Sequence, residues 1–385
     1  MATVGRRWVD HGRGGDVIAI AAFALVVCGM AYYALAILAA VRFARRKPLI
    51  GGGEPVSILK PVRGRDVGFA AAIRSHAELD YPAGFEILFG VSDSADPAIE
   101  EIAHLKMQFP GVPIRVIDTR NEAPNGKVGS LEILSREAAY DVLILNDSDI
   151  RIEPDYLRRI VGALSQEGVG LVTCLYRGRG SSFPARVEAL GIATEFAPSV
   201  LVAEMLAASV FAFGSTIALR RGDLNAIGGF AAIRNYLADD FQLGARVVEL
   251  GKRVVLSEQA VETRLGDGNW QAVWKHQVRW SRTIKVSNPL GYFGYLVTQL
   301  TFWCLVAAMA GQWEVALGGM MLRMTAAEVA TIVLNDELSG GMLWAVPLRD
   351  LFGIAVWAAG ITGSTVEWRG LRFRLRKDGT ISRLP

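Results

Sequence analysis

From Val56 onward, short apolar runs alternate with stretches whose apolar residues recur every three or four positions. That rhythm predicts strands alternating with helices. Val56–Leu59, Glu86–Val91, Ile114–Ile117, Val142–Leu145 and Gly170–Cys174 are expected as strands, and Val67–Leu79, Ala98–Phe109, Lys127–Ala139 and Pro154–Leu164 as helices. The alternation implies an α/β domain with a mostly parallel sheet. On either side of it the pattern changes. Val17–Val41 runs for about 25 residues without a charge, enough to cross a bilayer core of roughly 30 Å. Leu290–Gly311, Trp313–Leu334 and Leu343–Trp368 are further candidate spans. The last two carry Arg323 with Glu328 and Arg349 with Asp350, which lipid tolerates only when paired or turned inward. Between Phe183 and Phe213 the chain is largely apolar but interrupted by Glu188, Glu195 and Glu204, so an interfacial or lipid-lining role is expected. The expected organisation is an N-terminal segment 1–16, a transmembrane helix 17–41, a sheet domain 48–287 ending in interfacial helices, membrane helices 288–368 and a basic tail 369–385.

Composition fits this plan, since 385 residues with 51% hydrophobic content accommodate one catalytic domain and several membrane helices. A net charge of +3, with both signs mixed, gives no footprint for a nucleic-acid partner. Three cysteines cannot build a disulfide framework, and the four histidines show no zinc spacing. Arg42, Arg45, Arg46 and Lys47 outweigh Arg6, Arg7 and Arg13 across the first span, which places the sheet domain in the cytosol by the positive-inside rule. The tail, with Arg369, Arg372, Arg374, Arg376 and Lys377, belongs on the same side. That requires an even number of crossings after Ser287. Three full spans break the parity, so either one candidate is re-entrant or interfacial, or the tail is an exception.

The richest chemistry lies at Val142–Ile150, where an apolar run closes on Asn146-Asp147-Ser148-Asp149. Ligands of open α/β sheets sit beyond the carboxyl ends of the strands. Two carboxylates spaced i, i+2 there can share a hard divalent cation, Mg²⁺ or Mn²⁺, which in turn can hold a diphosphate. The same aspartates could instead cap the helix that follows. Lys60-Pro61 and Ser92-Asp93 close two earlier strands, and Asn125-Gly126-Lys127 opens a helix, so Pro61, Asp93 and Lys127 are candidates to face an anionic ligand. Gly214-Ser215-Thr216 and Gly228-Gly229-Phe230 read equally as turns. Asp239-Asp240 begins a helix, where acidic residues also suit the dipole. Asn269–Ser287, with Trp270, Trp274, Lys275, Arg282 and Lys285, suits a helix at a membrane surface.

Taken in order, Leu59-Lys60-Pro61, Asp80-Tyr81-Pro82, Val91-Ser92-Asp93, Asn146-Asp147-Ser148-Asp149, Gly228-Gly229-Phe230, Asp239-Asp240 and Arg279-Trp280 resemble the ceramide glucosyltransferases and the similar hopanoid-biosynthesis glycosyltransferases of bacteria. The resemblance runs from Val56 to the tail. It implies a membrane-anchored, inverting GT-A glycosyltransferase in the bacterial inner membrane. Its donor would be a nucleotide sugar, its acceptor a membrane lipid and its cofactor a divalent cation. Matched residue by residue, the resemblance assigns Asp93 to the nucleotide, Asp147 and Asp149 to the metal, and Asp240 to the general base. Its closing Gln/Arg-x-x-Arg-Trp box falls on His276, Gln277, Val278, Arg279 and Trp280. His276 departs from the box, so either His276 or Gln277 fills the diphosphate-binding place. Arg279 stabilises the leaving group and Trp280 lies at the donor. UDP-glucose with ceramide is the first expectation, UDP-N-acetylglucosamine with a hopanoid polyol the second. A metal-dependent membrane phosphotransferase and a non-catalytic lipid-binding protein are the rivals from other classes.

Overall fold

A computed structural model describes residues 12–208 and 212–384, with side chains from Val17. The N-terminal residues carrying Arg6 and Arg7, and the end of the apolar stretch at 209–211, lie outside the described residues. Eight strands form one mixed sheet: β1 Val56–Val62, β2 Phe85–Val91, β3 Ile114–Asp118, β4 Val142–Leu145, β5 Ile150–Arg151, β6 Val169–Gly180, β7 Ile217–Arg220 and β8 Arg253–Gly266. Their spatial order is β3-β2-β1-β4-β7-β6-β8-β5. The β3-β2-β1-β4 half is parallel, whereas β7 runs antiparallel to both β4 and β6.

The five expected strands and four expected helices are present near their expected bounds, except that β6 runs on past Cys174 to Gly180. Alternation explains the continuous apolar runs. Val56, Ile58, Val142 and Ile144 enter one core with Ile73, Ile102 and Leu157 from covering helices. Leu59, Leu143 and Leu145 enter the opposite core with Val128, Leu131, Leu243 and Val247. Both faces are covered, so β4 is buried at every position.

Three helices among the described residues are long and apolar enough to cross a membrane: Val17–Ala44, Trp313–Val333 and Leu343–Ile361. A pair bent by 45°, Pro289–Thr298 with Leu300–Met309, makes a fourth if counted as one span. The first helix packs against Leu300–Met309 and Trp313–Val333, with Val26, Tyr33, Ala36, Leu300, Cys304 and Ala326 in one core. The stretch expected as Leu343–Trp368 stops at Ile361, because Gly363 turns the chain with φ 82° and Thr365–Trp368 becomes a strand. That strand, β9, pairs with β10 Leu371–Leu375, which pairs with β11 Ile381–Arg383. The basic tail is therefore folded. Phe373, Leu375 and Ile381 pack on Leu237, while Arg372, Arg374 and Arg376 alternate outward into solvent.

Candidate active site

The carboxyl ends of β1, β2 and β4 open onto a cavity of about 1370 Å³. Pro61, Asp93, Lys127, Asp147, Asp149, Asp240, His276, Arg279 and Trp280 all line it. Asp93 sits exposed in the loop after β2, where its Oδ1 accepts from Ala95 N at 2.9 Å.

The loop after β4 is clamped from beneath. Asn146 is buried, and its Nδ2 donates to Ser215 O at 2.7 Å and toward Tyr156 Oη at 3.1 Å. Lys60, fully buried, donates to Asp147 O at 3.0 Å and stands 3.2 Å from His76 Nε2. Burial pulls this lysine down to about 7, against the pull of Asp149 and Asp147. The sequence signal for this clamp is a lysine inside an apolar strand. Neither aspartate caps the next helix, whose N-cap is Asp155.

The two aspartates then diverge. Asp147 Oδ1 pairs with Lys127 Nζ at 2.8 Å, and the same ammonium reaches Asp239 Oδ2 at 3.3 Å. Lys127 is held at the start of the Gly126–Glu137 helix by Asn125, whose side chain accepts from Val128 N. Burial lowers the Lys127 pKa, but Asp147 and Asp239 outweigh it and leave the group raised. Asp149 Oδ2 instead accepts from Thr263 Oγ1 of β8 at 2.5 Å. Burial and the neighbouring Asp147 raise its pKa.

Asp239 and Asp240 occupy the first turn of the Asp239–Glu249 helix, yet its N-cap is Ala238 and no side chain caps it. Gly228 and Gly229, at φ 89° and 67°, let the chain turn back so that this helix start reaches the cavity. Asp240 Oδ2 accepts from Gly214 N at 3.2 Å and Oδ1 from Phe241 N at 2.8 Å. Burial, then Asp239, pushes the Asp240 pKa up to about 6, with Lys127 opposing.

Gly214 is the backbone joint of the site, since its carbonyl also accepts from Asp147 N. A Cβ there would stand 2.9 Å from Asp147 Oδ2 and 3.1 Å from Lys127 Nζ. Gly214→Ala is therefore expected to cost on the order of 100-fold in turnover through displaced carboxylates, with an unchanged melting temperature; unchanged turnover would deny the joint its role.

The Trp270–Ser287 helix supplies the far wall. His276 Nδ1 donates to Glu188 Oε1 at 2.6 Å, and its ring lies 4.6 Å from that of Trp280. Burial raises the Glu188 pKa, but the His276 and Gln277 hydrogen bonds win and hold it below the carboxylate norm. Gln277, expected at the donor, is instead buried behind the wall, donating to Glu188 at 2.7 Å and accepting from Arg349. Helical geometry separates the two neighbours by about 100°, so only His276 of the pair lines the cavity. Arg279 lines it too, and burial lowers its pKa against the pull of Glu188, Asp240 and Asp147.

Two flanks complete the cavity. Phe196, Val200 and Phe213, from the stretch expected to line a lipid, form an apolar flank together with Tyr176 of β6. The other flank has no local signature in the sequence. It consists of Trp368, Arg369, Leu371 and Phe373 of the tail sheet, where Arg369 donates to Arg63 O at 2.9 Å.

This assembly can be set beside known proteins. The model of glycosyl transferase family 21 matches residues 21–381. The chain belongs to glycosyl transferase family 21. Ceramide glucosyltransferase 1 of Caenorhabditis elegans is 26% identical over 205 residues, 52% of this chain and 44% of that protein. The ceramide glucosyltransferase of Komagataella phaffii is 32% identical over 132 residues, 32% of this chain and 26% of that protein. The matches thus span about half, or less, of the length of these curated relatives. Among solved structures, the mannosyltransferase PcManGT of Pyrobaculum calidifontis, in complex with GDP-Man and Mn²⁺, is 16% identical. The match covers 89% of this family 21 chain and 97% of that one at a TM-score of 0.54. The fold of this family 21 protein is accordingly GT-A.

Proposed function

We propose that this family 21 protein transfers a hexose from a nucleotide sugar, UDP-glucose first, to the hydroxyl of a membrane lipid, ceramide first, with inversion. The observation that carries the reading is convergence. Asp147, Asp149, Asp240 and Arg279 come from distant parts of the chain and line one cavity that also has an apolar flank. The curated relatives carry ceramide names, which favours ceramide over a hopanoid polyol.

In this reading Asp240 takes the proton of the acceptor hydroxyl as its oxygen attacks the anomeric carbon. The bond from that carbon to the diphosphate breaks on the opposite face, and the charge passes to the leaving group. Arg279 and His276 meet that charge, with His276 fixed in orientation by Glu188 and Trp280. Asp93 and Pro61 hold the nucleotide end. One displacement suffices, so an α-linked donor gives a β-glycoside.

Asp147 and Asp149 supply hard oxygen donors suited to Mg²⁺ or Mn²⁺. Both line the cavity from one loop, and they would hold such a cation beside the diphosphate. When bound, such a cation neutralises charge on the departing diphosphate. The basic flank from Arg42 to Lys47 supports a cytosolic side for the domain, where sugar nucleotides are supplied.

Purified protein in detergent, given UDP-glucose, ceramide and Mn²⁺, is expected to yield β-glucosylceramide, identified by mass spectrometry and anomeric coupling. An α-product, a phosphorylated lipid or no turnover with any sugar nucleotide would overturn the proposal.

A further inference from the structure

The helices outside the sheet domain divide into two groups with different relations to it. Trp313–Val333 and the first helix lie side by side over most of their length. Gln312 Nε2 donates to Ala19 O at 3.1 Å, Gly319 abuts Val26, and the Arg323 guanidinium lies 4.8 Å from the Tyr33 ring centroid. Ala19 is about 37 Å along the helix from Ala44, so Gln312 stands a bilayer's thickness from the sheet domain. The bent pair brings the chain out to that level, passing Gly29 at Leu300. Trp313–Val333 brings it back: Arg177 donates to Leu334 O and Asn335 O, and Arg179 pairs with Asp336. Both arginines belong to β6.

The helix ending at Ile361 behaves otherwise, because both of its ends rest on the sheet domain. At its start Trp344 stacks on Phe183 at 6.2 Å, and Val346 packs with Val187 and Leu190. At its end Lys285 donates to Gly360 O and Ile361 O at 2.8 Å each, and Arg282 donates to Thr362 O and Thr365 O. Between the ends it follows the Trp270–Ser287 helix, with Phe352 against Trp270 and Trp274 and Val356 O accepting from Ser281. Its charged residues face inward, Arg349 to Glu195 and Asp350 to Arg323. Its outward stripe is apolar throughout: Trp344, Leu348, Leu351, Ala355, Ala358 and Ile361 are all exposed.

We propose that this chain crosses the bilayer three times. The Val346–Ile361 helix does not cross but lies in the leaflet beside the catalytic domain, its outward stripe docked against lipid acyl chains. With the turn at Leu343–Ala345 it is long enough to cross, so the anchoring of both its ends to the sheet domain, and not its length, holds it on one side. The stripe is continuous with the exposed Trp270 and Trp274, indoles suited to the headgroup level. Two crossings after Ser287 also satisfy parity, since Ile381 N donates to Asn235 O and Leu237 N to Gly379 O, tying the tail to the sheet domain. The proposal concerns lipid contact and holds whichever sugar or acceptor is used.

The test uses the full chain in sealed cells, with Cys28→Ala, Cys174 and Cys304 left buried in the fold, and one cysteine added at Trp313, Leu338 or Lys377, probed with a membrane-impermeant maleimide. Leu338→Cys and Lys377→Cys are expected to react from one side and Trp313→Cys from the other. Reaction of Leu338→Cys and Lys377→Cys from opposite sides would make the helix a span and overturn the proposal. Nitroxides at Leu348 and Leu351 in phosphatidylcholine–phosphatidylglycerol vesicles give the second reading. Collisions with oxygen should exceed those with a nickel chelate, at a depth short of the midplane. Depth at or beyond the midplane, or nickel-dominated collisions at both sites, would equally overturn it.

Discussion

Asp240→Asn is expected to lower sugar transfer by roughly two to four orders of magnitude while donor binding stays near normal. The change keeps the side chain's shape and its acceptor oxygen for Gly214 N, so the cavity wall survives, but an amide cannot take the acceptor's proton. Asp239→Asn should retain measurable turnover. Its carboxylate is buried against Lys127, which keeps Asp147 as a second partner. The two roles separate because successive helical residues diverge by about 100°. A pH profile adds a check that structural damage would not mimic. Asp240 is pushed up to about 6, and a base acts only when ionised. Turnover of the parent protein should therefore rise as pH passes through about 6 and fall below it as Asp240 takes up a proton. The residual activity of Asp240→Asn should lack that limb. An inactive Asp239→Asn beside an active Asp240→Asn would move the base by one residue. Loss of donor affinity in both would assign the pair to the donor site.

How much of this was legible in the sequence depends on how locally each feature is encoded. β4 announced itself because both faces of a central parallel strand are covered, which forces an apolar run that ends where the polar loop begins. β8, Arg253–Gly266, did not, because its burial is irregular and Glu258, Gln259, Glu262 and Arg264 break the apolar pattern. The strands of the tail are hidden for the opposite reason. Arg372, Arg374 and Arg376 drew attention as charge, while the alternating Leu371, Phe373 and Leu375 that make a strand went unused. Asp240 and His276 could be named from ordered motifs, yet nothing local showed that Glu188, 88 residues earlier, would orient His276. The same holds for Gly214, an ordinary turn residue in sequence and, in three dimensions, the strut between Asp147 and Asp240. Contacts of this kind are properties of the folded chain, set by how the sheet brings distant loops together. The number of crossings was undecidable from hydropathy for the same reason. The Val346–Ile361 stripe is as apolar as a span, and only the anchoring of both its ends to the sheet domain separates the two arrangements.

Asp147→Asn and Asp149→Asn should each reduce transfer by about two to three orders of magnitude, and the amide substitutions are chosen to keep the fold. In Asp149→Asn the amide oxygen would still accept from Thr263 Oγ1, as the carboxylate does. In Asp147→Asn the Lys127 ammonium would keep Asp239 as its charged partner. What each variant loses is negative charge at the cavity, and therefore affinity for a divalent cation. Calorimetric titration of Mn²⁺ in the presence of UDP gives a readout independent of turnover, and each variant should bind Mn²⁺ more weakly than the parent. Removal of divalent ions with EDTA should silence the parent, and added Mn²⁺ should restore it. The paired Lys127 sharpens the test, because an ammonium already beside Asp147 could serve the diphosphate without a cation. Under that arrangement the parent would keep full activity in EDTA, Lys127→Met would be inactive, and the metal role of both aspartates would fall. Under the proposed one, Lys127→Met loses activity but still shows Mn²⁺ binding with UDP, since both carboxylates remain and one competing positive charge has gone.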